Sequence, residues 1–128
     1  MNYNILGIDI EIKLESGIYL MDNESAVGKT RLGKLLLAIF NDNQEVYYYS
    51  IEDFRKGLKV NDILKNSNIR VMLIDRLDLF IDDYNIFEEI LEYSNQIVFL
   101  LDLKNKITDL SGNRWCNVRM TENKIEVY

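Results

Sequence analysis

The sequence predicts an α/β fold: a mostly parallel sheet flanked by helices, with hairpin strands at its N-terminal and C-terminal ends. Three observations lead there. Residues 17–41 read in succession as strand, tight loop and helix. Residues 69–75 and 96–102 each carry an apolar run without alternation that stops at an aspartate, Asp75 and Asp102. Such runs suit strands covered on both faces, as in a parallel sheet. Helical spacing between these strands then calls for right-handed crossovers, which place a binding site beyond the carboxyl ends of the strands.

The elements follow in order. From Ile8 onward, Ile10, Ile12 and Leu14 alternate with Asp9, Glu11 and Lys13, a half-exposed strand of period two. Glu15-Ser16-Gly17 is the turn that leads into the next strand, so the two are expected to pair as a hairpin. Residues 18–21 form a short apolar strand, and residues 22–30 are a polar loop. Leu32, Leu35, Leu36, Ile39 and Phe40 fall at i, i+3, i+4, i+7 and i+8, one face of a helix that ends near Asn41-Asp42-Asn43. Val46-Tyr47-Tyr48-Tyr49 is a strand by propensity, its tyrosines read as sheet packing. Ser50 with Glu52 and Asp53 signals an N-cap and an acidic first turn, and Gly57 ends the short helix. Residues 60–65 form a second helical piece, closed by the turn Asn66-Ser67-Asn68. Ile86, Phe87, Ile90 and Leu91 give an apolar face to a helix over 81–93. Residues 115–120 and 124–128, around Thr121-Glu122-Asn123, make a closing hairpin.

A chain of 128 residues holds one domain with a real core. Its net charge of −6 and isoelectric point near 4.7 disfavour a broad electrostatic grip on nucleic acid or on an anionic membrane. The lone Cys116 excludes an internal disulfide and fits a reducing compartment. The absence of histidine removes His-based acid–base chemistry and His-rich metal sites. No stretch has the form of a leader or the length of a membrane span, so a cytoplasmic location is expected.

The most informative residues are Asn23-Glu24-Ser25-Ala26-Val27-Gly28-Lys29-Thr30, followed by Arg31. They stand where a strand hands over to a helix, and a helix N-terminus offers unpaired N–H groups and partial positive charge. A loop wound just before it makes a nest for phosphate oxygens. Residues 23–30 resemble the Walker A motif of P-loop nucleoside triphosphatases, with Asn23 in the place of the family's first glycine. Asn is the non-glycine residue that best tolerates left-handed backbone. The strand ending in Asp75 resembles a Walker B strand. The resemblance implies a nucleotide-binding role for residues 23–31, with Lys29 on the β- and γ-phosphates. Thr30 and Asp75 would hold Mg2+, and Asp102 would sense the γ-phosphate, with Lys104 an alternative. ATP and Mg2+ are thus the expected cofactors.

The order of elements resembles a small core of the additional-strand class, which includes the ABC and RecA-like ATPases. Those proteins usually carry a water-polarising glutamate directly after the Walker B aspartate; this chain has Arg76. Asp78 is the nearest substitute and the candidate catalytic residue. A missing general base forfeits typically ~10²–10⁴-fold, so the expected activity is ATP binding with slow or partner-dependent hydrolysis. The partner would be another protein or a second copy of the chain, supplying an arginine to the site. Asn23 and Arg76 favour the alternative, a degenerate P-loop domain that no longer turns over nucleotide and serves as a binding or scaffold module. A small-molecule kinase fits less well, because the length leaves little room for a lid and an acceptor site.

Overall fold

A computed structural model describes residues 1–5, 7–21, 33, 45–79, 85–102 and 114–128. The fold is α/β, built on two sheets. Strands β1 (Asn2–Ile5), β2 (Ile8–Ile12), β8 (Val118–Met120) and β9 (Lys124–Val127) form a four-stranded mixed sheet in the order β1-β2-β9-β8. Strands β3 (Gly17–Met21), β4 (Val46–Tyr49), β5 (Val71–Ile74), β6 (Val98–Leu101) and β7 (Arg114–Cys116) form the second sheet, ordered β4-β5-β6-β3-β7. Every pairing in this five-stranded sheet is parallel. Helices α1 (Ile51–Arg55), α2 (Val60–Leu64) and α3 (Ile86–Tyr93) lie along it.

Burial follows from the sequence pattern. Every residue of β5 and β6 is buried, and so are the last four of β3. These strands therefore need a dry cover on each face. On one face Ile18, Leu20, Met72, Ile74, Phe99 and Leu101 pack with Val60, Leu64, Ile86 and Ile90 from the helices. On the other, Tyr19, Met21, Val71, Leu73, Val98 and Leu100 pack with Ile10, Ile12, Val118, Ile125 and Val127 of the four-stranded sheet. The latter sheet keeps one wet face, and its strands alternate accordingly.

The expected hairpin between residues 8–14 and 18–21 is corrected. β2 pairs with β1 and β9, whereas β3 pairs with β6 and β7. A strand with one polar face does not fit beside β3, whose residues 18–21 are buried on both faces. Residues 15–17 instead carry the chain from one sheet to the other. Gly17, at φ 151°, donates its N–H to Ile97 O at 3.0 Å, and the Tyr19 hydroxyl donates to Glu15 O at 2.8 Å. The N-terminal hairpin is β1–β2, with Ile5 opposite Ile8 and Gly7 at φ 80° in the turn. The tail is corrected in part. Lys124–Val127 does pair antiparallel with Val118–Met120, but residues 114–116 form β7 of the parallel sheet. The chain changes sheets at Asn117, which exchanges two backbone hydrogen bonds with Tyr128.

The local signals around the short helices translate directly. Ser50 caps α1, its side chain accepting from Glu52 N–H while Asp53 reaches back to the Ser50 N–H at 2.9 Å, a capping box. Gly57 (φ 78°) and Asn66 (φ 60°) supply the left-handed residues that end α1 and α2. Replacement of Ser50 by Ala should lower unfolding free energy by about 0.5–2 kcal/mol, read as a lower urea midpoint at unchanged m-value.

The wet face of the four-stranded sheet carries an ion-pair network. Glu126 accepts from Arg119 at 2.6 Å and lies 3.4 Å from Lys13, and Lys124 reaches Glu11 at 2.7 Å. Hydrogen bonds from these cations hold the Glu11 and Glu126 carboxyls below the ordinary glutamate value of 4.5. A lowered carboxylate pKa contributes stability above the unfolded value and loses it as pH falls through the folded one. The Tm difference between the wild type and Glu126→Gln should therefore persist at neutral pH and close as the solution is acidified below about 4.5. High salt should shrink it, since the pairs are exposed.

Candidate functional site

The first chargeable positions on the central strands are those one step past their ends. Backbone pairing extends that far. Asp75 donates its N–H to Tyr49 O at 2.9 Å, and Asp102 donates to Ile74 O at 2.9 Å. The carboxyl groups of Asp75 and Asp102 are thereby brought close enough to hydrogen bond to each other.

Strand alternation puts Tyr48 and Leu73, which are register partners, on the same face as Asp75. The Tyr48 hydroxyl donates to Asp75 Oδ2 at 2.6 Å, a length typical of a charge-assisted O–H···O⁻ bond. Gly33 meets the same ring from the other side. It is helical and buried, and a Cβ there would sit 2.9 Å from Tyr48 Cε2 and 3.6 Å from Leu73 Cδ2. Only a residue without a side chain fits that approach.

The chain then turns sharply. Arg76 takes φ 51°, uncommon for a residue with a side chain. The turn brings Leu77 N–H onto Asp102 O at 3.1 Å and Leu79 N–H onto Arg76 O at 3.0 Å. Burial raises the Asp75 pKa above the usual aspartate value, and the adjacent Asp102 adds to this through a hydrogen bond and like charge. The Tyr48 bond and the Arg76 guanidinium pull in the opposite direction without overcoming it. Tyr48 is driven upward, first by burial and then by its bond to Asp75, so its hydroxyl stays protonated and donates.

Of the residues the sequence proposed, Asp75 and Asp102 are brought together at the strand ends. Asn23, Glu24, Ser25, Ala26, Val27, Gly28, Lys29, Thr30, Arg31 and Lys104 lie outside the described residues. Asp78 has its backbone in the 3-10 turn Leu77–Leu79, and its side chain is outside the described set. Tyr47 and Tyr49 are packed as expected, donating to Asp53 Oδ1 at 3.0 Å and Leu58 O at 2.6 Å. Sequence reasoning missed Tyr48 as a partner of Asp75, and it missed Gly33. A glycine inside a helix costs ~1 kcal/mol relative to alanine, and that oddity marks a close approach.

Among the described residues, no cluster of three or more His, Cys, Asp or Glu is placed to hold a metal ion. The Asp75–Asp102 pair still fits magnesium in donor type. That ion takes hard oxygen ligands and is commonly held by one or two carboxylates plus phosphate and water. Among the described residues, no helix is long and apolar enough to cross a membrane. Comparison of the chain with protein-family models, with curated proteins and with solved structures gives no match.

A carboxyl whose folded pKa is raised favours the fold while protonated, and its ionisation costs stability as pH rises through the folded value. In metal-free buffer Asp75→Asn should thus unfold at higher temperature than the wild type at pH 7. The gap should close as pH falls below the ordinary aspartate value of 3.8, with paired melting curves as the measurement.

Proposed function

We propose that this domain binds ATP with magnesium through the loop at residues 23–30, with hydrolysis slow or dependent on a partner. Lys29 takes the β- and γ-phosphates, Gly28 lets the backbone approach them, and Thr30 and Asp75 hold the metal. Asp102, within hydrogen-bond reach of Asp75, would sense the γ-phosphate. Bound magnesium supplies positive charge that offsets the phosphates and the paired carboxylates.

One observation carries the reading. Gly33 stands three residues beyond Thr30 in the sequence, and it meets the ring whose hydroxyl bonds Asp75. The segment after the Gly-Lys-Thr triplet and the aspartate after β5 are thus joined through a single side chain. Strand order lends further support. β6 lies between β3, which leads into the loop, and β5, which leads to Asp75.

A second reading, a P-loop domain that binds or scaffolds without turnover, is favoured by Arg76, which stands where that class carries its glutamate. Both readings are tested by thermal unfolding with and without magnesium and ATP. Ligand at a hundredfold over its dissociation constant should add ~2.7 kcal/mol, several degrees in Tm for a domain of this size. Lys29→Ala should abolish the shift. An equal shift in that variant, or none in the wild type, overturns nucleotide binding at this loop.

A further inference from the structure

Tyr48 has a role that no motif assigns to it. It is half-buried on β4, its ring is trapped against Gly33 on one side, and its hydroxyl is spent on Asp75 Oδ2 at 2.6 Å. A ring with both ends engaged has little freedom to change rotamer. The 2.9 Å approach at Gly33 leaves no slack for a methyl group. Leu73, the register partner of Tyr48, stands 3.6 Å from the same virtual Cβ and closes the contact from the β5 side.

The geometry points to Tyr48 as the positioning residue that holds the Asp75 carboxyl in register with the helix carrying Gly33, so that Asp75 is set to bind a divalent cation. This rests on the nucleotide-binding reading above. The hydroxyl fixes Oδ2 of the Asp75 carboxyl, which is also within hydrogen-bond reach of Asp102. A partner of this kind, acting through a ligating carboxylate, typically governs 10–100-fold in metal affinity.

Tyr48→Phe keeps the ring and removes only the donated bond. The readout is the magnesium concentration at half-maximal Tm shift, at fixed ATP, beside the ATP shift in EDTA. The positioning role requires a magnesium midpoint raised by ~10–100-fold, with the metal-free ATP response unchanged. Gly33→Ala, which pushes the ring aside, should shift the midpoint in the same direction. The double variant should exceed neither single effect by much, because both act through one contact. If Tyr48→Phe lowers stability yet leaves the magnesium midpoint at the wild-type value, Tyr48 is only a packing residue and the inference falls while nucleotide binding stands. If the wild type responds to ATP neither with magnesium nor without it, the reading beneath fails, and the positioning role with it.

Discussion

The rest of the structure depends on a sheet whose two faces are both dry. β3, β5 and β6 present apolar side chains in both directions, so neither a helical layer nor a second sheet alone would keep them from water. The chain solves this with one cover of each kind. Phe99 and Met72 face the helices, and Leu100 and Leu73 face the four-stranded sheet. A buried Leu or Phe side chain contributes on the order of 1.5–3 kcal/mol. Losing either cover would therefore expose more apolar surface than a marginally stable domain can tolerate. The same constraint decides where chemistry can occur. With no chargeable position inside β5 or β6, the first carboxylates stand one residue past the strand ends, at Asp75 and Asp102.

Strand order then determines which ends become neighbours. β6 is paired to β5 on one side and to β3 on the other, with Leu101 level with both Ile74 and Leu20. Asp102 is accordingly flanked by Asp75 and by the end of β3 at Met21. Parallel pairing puts all of these at the same edge of the sheet. An antiparallel arrangement would have sent half of them to the opposite edge. The acidic pair and the end of β3 are thus together because of topology, before any side-chain contact is considered.

Much of this was legible in the sequence, and the parts that were not share a cause. Signals confined to a few neighbouring residues translated well. Ser50 with Asp53 gave a capping box, Gly57 and Asn66 ended their helices, and unalternating runs gave central strands. Sheet membership did not translate. Glu15-Ser16-Gly17 looks like a hairpin turn, and only the contrast between the half-wet β2 and the wholly dry β3 betrays that they belong to different layers. Residues 115–120 look continuous because nothing at Asn117 announces a change of sheet; its bonds to Tyr128 depend on a partner eleven residues away. In the candidate site, Asp75 and Asp102 were visible as strand terminators. Tyr48 was hidden among three consecutive tyrosines that share one local pattern, and only the fold distinguishes the one that faces Asp75.

Arg76 ties the site to its backbone. A left-handed residue bearing a Cβ costs roughly 1–2 kcal/mol, which glycine at that position would avoid. The turn it makes places Leu77 N–H on Asp102 O, so the same kink that ends β5 also clamps the end of β6. Two carboxyl groups pressed together at that clamp repel when ionised, and the neighbouring guanidinium counters part of that repulsion at Asp75. A glutamate at position 76 would instead bring a third negative charge against the pair. The arginine therefore suits a site whose first requirement is to keep two acids side by side.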